Sequence, residues 1–307
     1  TADQGASVAT GTSVSPTTEI PSLSRVVRLW SLSRRYPVLP VTLLMLVLVI
    51  PAIFADFIAP HDPIAGNLRA RLLPPAWQGG GDWSYVLGTD TQGRDILSRL
   101  IFGARITAQV SLAALLVGGT IGTVLGLIAG YFGGWVDHVI MRLVDINLSM
   151  PLILLALTLV VLFEPGVGTT IAVVALLLWS RYARQVRAEV LTLKQMDFVA
   201  RARVAGASDL RIIFRHIFPN VINTLIVLAT LQVGNVILLE ASLSFLGAGI
   251  PPPDPAWGVL VAEGRDFIAT FWWLSVIPGL VIMTTVLSMN IFGDWLRDHL
   301  DPKLRQM

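Results

Sequence analysis

The chain has 307 residues, 54% of them hydrophobic and only 14% charged, and its mean hydropathy is +0.71. Soluble domains carry roughly 25% charged residues, so this composition excludes a soluble enzyme, a disordered protein and a nucleic-acid binder, and it points to an all-α polytopic membrane protein. The net charge of +2 decides little, and the absence of cysteine rules out disulfides and thiolate metal sites.

Residues 1–24 are rich in Ser, Thr, Pro, Gly and Ala without apolar periodicity, and are expected to be a disordered tail. They lack the basic start and apolar core of a signal peptide. In residues 25–37, Val26, Val27, Leu29, Trp30 and Leu32 alternate with arginine. This suits either an interfacial helix on the cytoplasmic leaflet or a basic flank that only sets topology.

Charge-free runs then locate the spans. A helix needs about 20 mostly apolar residues to cross a core of roughly 30 Å. The runs between Arg35 and Asp56, Arg105 and Asp137, Arg215 and Glu240, and Asp266 and Asp294 satisfy this, and two shorter runs flank Glu164. The expected spans are 38–58, 105–132, 136–163, 167–190, 218–246 and 270–295. They make a six-helix transmembrane domain over 38–300, with a tail at 301–307. Helices rather than a barrel follow from the lack of strand alternation. The basic residues before the first span and between the fourth and fifth place both segments, and both termini, in the cytoplasm.

Between the first two spans, Gly88, Thr89, Asp90, Gly93, Arg94 and Asp95 have the composition of a hydrogen-bonded turn, with Thr89 or Asp90 capping the next helix. On the external face this turn could meet a binding protein or a partner subunit, or be a plain cap. Within the second span, Gly118, Gly122 and Gly126 allow close helix packing. In the third, Arg142 and Asp145 are spaced to pair on one face.

The segment 191–217 is far longer than a connection needs. Its apolar residues fall at helical spacing among charges, Gly206 sits in the middle, and Asp209 can start a second helix. Pro219 is expected to close it at the entry to the fifth span. Such a hairpin could dock in a groove of a cytoplasmic partner or lie on the lipid surface. In the fifth span, Gln232, Asn235, Glu240 and Ser242 could line a pathway or bond another helix, since polar groups in a membrane are expensive. The proline-rich stretch 247–258 reads as a stiff external loop.

FVARARVAGASDLRIIFRHIFPN, residues 198–220, resembles the Glu-Ala-Ala loop of bacterial ABC-importer permeases. Ala200 stands at the Glu position, Arg201 and Ala202 at the two Ala positions, Gly206 at the Gly and Pro219 at the closing proline. Residues 87–105, 130–146, 240–258 and the stretch from Leu287 to Arg305 are similar to the C-type permeases of dipeptide and oligopeptide importers. The resemblance implies a type I importer permease fold with Ala200, Arg201, Ala202, Gly206, Ala207, Asp209 and Pro219 as the ATPase-coupling element. It also implies a homologous second permease, two cytoplasmic ATPases, an external solute-binding protein, a peptide substrate and a place in the bacterial inner membrane. Permeases of this kind also serve nickel, glutathione, heme precursors or oligosaccharides.

The chain itself is expected to catalyse nothing and to hold no cofactor or metal, with ATP and Mg on the partner ATPases. Neither of its two lysines, Lys194 and Lys303, follows a Gly-rich phosphate loop. An ion-coupled carrier would call for inverted repeats, and a membrane hydrolase for a nucleophile–base set. Neither pattern is found.

Overall fold

The computed structural model describes residues 37–300. The expected tails at 1–24 and 301–307 lie outside the described residues, as does the interfacial segment up to residue 36. Among the described residues the regular structure is helical: α1 (Val38–Ile58), α2 (Ile96–Phe132), α3 (Gly134–Ser149), α4 (Leu152–Val161), α5 (Val167–Leu193), α6 (Asp197–Val204), α7 (Asp209–Phe245), α8 (Trp257–Gly264) and α9 (Trp273–Leu300).

The expectation of six transmembrane helices is overturned. Among the described residues four helices, α1, α2, α7 and α9, are long and apolar enough to span a bilayer. A fifth span exists only if α3 and α4, bent by 94°, count as one. Two local causes account for the difference. Pro151 has no N–H to continue the helix, so the run expected at 136–163 breaks after Ser149. The helix expected at 167–190 forms as α5, but Arg181, Arg184, Arg187 and Glu189 occupy its second half, leaving too short an apolar run.

Helix starts also move. Asp95 caps α2 by accepting the N–H of Ser98 at 2.9 Å, which places the start at Ile96 rather than 105. The fifth expected span begins at Asp209, not 218. A π-helical turn at Ile213–Ile217 precedes Pro219, so the helix passes through the proline instead of starting there.

The packing centre is the pair α2–α5. A Cβ placed on Gly118 or Gly126 would lie 2.7 Å from the carbonyl oxygen of Ala175 or Ala183, and one on Gly122 would strike the carbonyl of Trp179. The glycine stripe therefore serves close packing within the chain, and it continues to Gly130 against Val190. Arg187 grips Asp137 with two 2.5 Å bonds, and Arg184 takes Asp145 at 2.5 Å. Asp145 thus pairs across helices rather than with Arg142 on its own.

Candidate functional site

Three polar constellations stand out, two at opposite ends of the helix bundle and one between them.

The first is built on the turn before α2. The hydroxyl of Thr89 accepts the N–H of Leu73 at 2.9 Å and donates to the carbonyl of Ala70. Gly88 and Gly93 have φ of +83° and +73°, and Gly93 lies hard against the backbone of Asn67. Asp90 accepts from Arg94 Nε at 2.6 Å and from Arg99 at 2.7 Å. Both arginines also donate to Glu263 of α8, Arg94 at 3.1 and 3.2 Å and Arg99 at 2.5 Å. Arg99 is 1% and Asp90 4% exposed. Two cations and two carboxylates share one buried network, so each charge is compensated where a lone one would be costly.

Thr89, Asp90, Arg94 and Asp95 are all buried. What they do in this chain is lock the turn to α8. The segment leading into the turn carries exposed Trp77 and Trp83. On its exposed side, backbone N–H groups of Ile64 and Ala65 hold the Asp62 carboxyl below the usual range. The stretch 247–258, expected to be an external loop, is not only a loop, because it runs into α8. There Trp257 is fully buried and donates to the carbonyl of Leu100 at 2.9 Å.

The second constellation is the hairpin α6–α7. Gly206, with φ of +79°, ends α6, and the N–H of Ala207 bonds the carbonyl of Ala202 at 3.1 Å. This is the glycine-terminated helix end that L side chains resist. Val199, Ile212, Ile213 and Ile217 are buried against Leu127, Tyr131, Val186 and Val190 at the ends of α2 and α5. The hydroxyl of Tyr131 donates to Asp209 at 2.6 Å, and Lys194 donates to the carbonyl of Tyr131. Ala202 and Ala207 are half-buried against this core, whereas Ala200, Arg201, Gly206, Asp209 and Pro219 are exposed. Val204 is 91% exposed, and Leu210 and Phe214 stand out beside it. Half of the hairpin is core; the other half exposes Val204, Leu210 and Phe214 together with Arg201, Arg211 and Arg215, while Arg203 lies against the hydroxyl of Tyr131 at the base.

The third lies within the bundle. Gln232 is buried, and its Oε1 accepts from Asn235 at 2.8 Å and from Arg181 of α5 at 3.4 Å. Asn235 and Arg181 line an open cleft walled by Leu152, Leu177, Val236 and Leu239. Glu240 is fully buried, with Oε1 accepting from Ser244 at 2.9 Å and no hydrogen-bond partner on Oε2. Ser242 donates to the carbonyl of Leu238. The structure thus joins Gln232 to Asn235 and sets Glu240 and Ser242 apart from them.

Sequence reasoning missed Arg99, Arg181, Glu263 and Tyr131 as members of these groups. Arg181 carried a usable signal, since it follows the apolar run at 171–179. Glu263 and Tyr131 carried none, because their partners are distant in sequence.

Comparison with known proteins now fixes the class. Residues 122–306 match the family described as the binding-protein-dependent transport system inner membrane component. The chain is 45% identical to the dipeptide transport system permease protein DppC of Haemophilus influenzae, over 85% of this chain and 89% of that one. It is 46% identical to the DppC of Escherichia coli K12, over 83% and 85%. A chain of the inward-facing MetNI methionine ABC transporter overlays with a TM-score of 0.48 at 19% identity, covering 63% of this chain and 94% of that one.

The chain belongs to the family of ABC-type peptide permeases, the inner-membrane components of binding-protein-dependent transport systems. It is a multi-pass inner-membrane protein, a non-catalytic transport subunit and one component of a multi-subunit system.

Proposed function

We propose that this chain is the permease subunit of an ATP-driven importer of di- and oligopeptides. It forms half of the translocation pathway with a homologous second permease, and takes peptide from an extracytoplasmic binding protein. Two separate cytoplasmic ATPases hold and hydrolyse ATP with Mg. The single observation carrying the peptide reading is the 45% identity to a dipeptide permease across most of both chains.

The hairpin α6–α7 is the coupling element. Its exposed apolar residues, Val204, Leu210 and Phe214, suit a groove on an ATPase, and its exposed Arg201, Arg211 and Arg215 suit acidic edges of that groove. Ala200, Arg201, Ala202, Gly206, Ala207 and Asp209 shape it. Because α7 runs unbroken from Asp209 to Phe245, a push on the hairpin moves the span as a rigid rod. Pro219, inside that rod, sits after a π turn where the missing N–H is tolerated. Closure of the ATPases would then shift the bundle between two discrete packings.

The basic hairpin faces the cytoplasm and the Asp90–Glu263 end faces outward, as the distribution of arginines favours. In this orientation residues 38 and 300 both lie toward the cytoplasm, because α1 and α9 run toward or away from the hairpin end. The turn Gly88–Asp95, braced from within by its buried charges, supports the surface that meets the binding protein or the sister permease. Gln232 and Asn235 line the pathway, with Glu240 and Ser242 nearer its outer end.

Reconstitution tests this. Vesicles with both permeases, both ATPases and the binding protein should accumulate labelled dipeptide only with ATP, and this chain alone should be inert. Uptake by the lone chain, or uptake driven by an ion gradient, would defeat the proposal.

A further inference from the structure

The geometry points to Arg181 as a carboxylate-binding residue in the pathway, a subsite for a carboxylate of the peptide in transit. This rests on the permease reading above and adds a residue and a chemistry to it. Arg181 stands on α5 after the apolar run at 171–179 and opens into the cleft between α4, α5 and α7. The other arginines of α5 are paired, Arg184 with Asp145 and Arg187 with Asp137. Among the described residues no carboxylate lies within ion-pair distance of Arg181, and its polar contact is the 3.4 Å bond to Gln232 Oε1.

An arginine set within the helix bundle of a membrane protein faces a cavity or a partner. Its planar fork of five donors matches a carboxylate in two parallel bonds. One donor is spent, loosely, on Gln232, which leaves an edge of the fork for a ligand. Gln232 Oε1 also receives the Asn235 amide at 2.8 Å, so the three side chains form one connected polar wall. Leu152, Leu177, Leu178, Val236 and Leu239 complete the lining of the cleft with apolar side chains. This combination recognises what every short peptide shares, a carboxylate, while ignoring what differs among them.

The carboxylate can be the peptide C-terminus or an acidic side chain, and three probes separate these: Ala-Ala, Ala-Ala amide and Ala-Asp amide. Binding is read by saturation-transfer NMR on the purified complex of both permeases and both ATPases without binding protein, so that its own selectivity does not intervene. The wild-type complex should bind Ala-Ala more tightly than Ala-Ala amide. Arg181→Gln should weaken Ala-Ala by roughly tenfold or more, to the level of the amide, as expected for losing a charge-assisted contact. Arg181→Lys, which keeps the charge, should lie between. Ala-Asp amide matching Ala-Ala in its dependence on Arg181 assigns the subsite to side-chain carboxylates as well, and failure to match assigns it to the C-terminus.

The inference is overturned if acid and amide bind wild type equally, if neither binds, or if Arg181→Gln weakens acid and amide by the same factor, the mark of a structural role. ATP-driven uptake of Ala-Ala by the wild-type vesicles is measured alongside. Its absence would sink the importer reading, a different result from any of these.

Discussion

The hydroxyl of Tyr131 donates a 2.6 Å hydrogen bond to the carboxylate of Asp209, tying the last turn of α2 to the first turn of α7. The residues lie 78 positions apart. The same tyrosine accepts Lys194 through its carbonyl and lies under that ammonium, 5.5 Å from the ring centre. Three segments meet on one side chain, so the hairpin is held at the base while its tip stays free.

Replacing Tyr131 with Phe removes that bond and the hydroxyl's contact with Arg203, and leaves the ring. A hydrogen bond to a charged acceptor is worth about 1.5–3 kcal/mol, less where water can substitute. The expected outcome is faster amide exchange across 197–217 and weaker stimulation of the ATPases, with membrane insertion intact. Unchanged exchange in the hairpin would show that the apolar base alone holds it.

Gly206 offers a test of the helix end. A side chain meets no steric obstacle there, since nothing lies within 4 Å of a Cβ, but φ is +79°. Asn, which visits that region with little strain, should preserve peptide uptake. Val should abolish uptake without loss of insertion, because the hairpin must refold to relieve roughly 1–2 kcal/mol or more of backbone strain. Equal uptake by both variants would remove the turn from the coupling mechanism.

The buried quartet predicts an asymmetric response. Asp90→Ala strips both arginines of one shared carboxylate and should cost about 3–5 kcal/mol, the usual result of orphaning a buried charge. Glu263→Gln should cost less, because that carboxylate is 25% exposed and water can take its place. Thermal unfolding in detergent ranks the two, and the reverse order would contradict the burial pattern.

Close packing of α2 on α5 gives a fourth expectation. Gly122→Leu places a side chain against the carbonyl of Trp179 and the Cβ of Tyr182. Overpacking of this kind costs about 1–3 kcal/mol. The variant should unfold at lower temperature, whereas the same change at Gly166, where nothing lies within 4 Å, should leave packing untouched.

Much of the α6–α7 hairpin and of the α2 packing face is legible in the amino-acid sequence. The glycine at 206, the helix start at 209 and the stripe at 118, 122 and 126 are local signals, set by backbone conformation and side-chain size. Span count is not legible in this way, because it depends on features a charge-free run hides. Pro151 breaks one run at a 94° bend, and the arginines of α5 shorten another. The run-on of α7 through Pro219 is hidden for a similar reason: a π turn can absorb the missing N–H, and no residue type announces it.

The amino-acid sequence by itself determined that this chain lives in a membrane as helices, where the basic and acidic ends lie, and which segment projects as a hairpin. These follow from transfer free energy and local geometry, which each stretch of chain carries alone. Only the tertiary structure decided that Asp90, Arg94, Arg99 and Glu263 form one buried network, that Arg181 meets Gln232 and Asn235 across a cleft, and that Asp209 is held by Tyr131. Those pairings join residues up to 169 positions apart, and they exist only where helix packing brings their partners within hydrogen-bond reach.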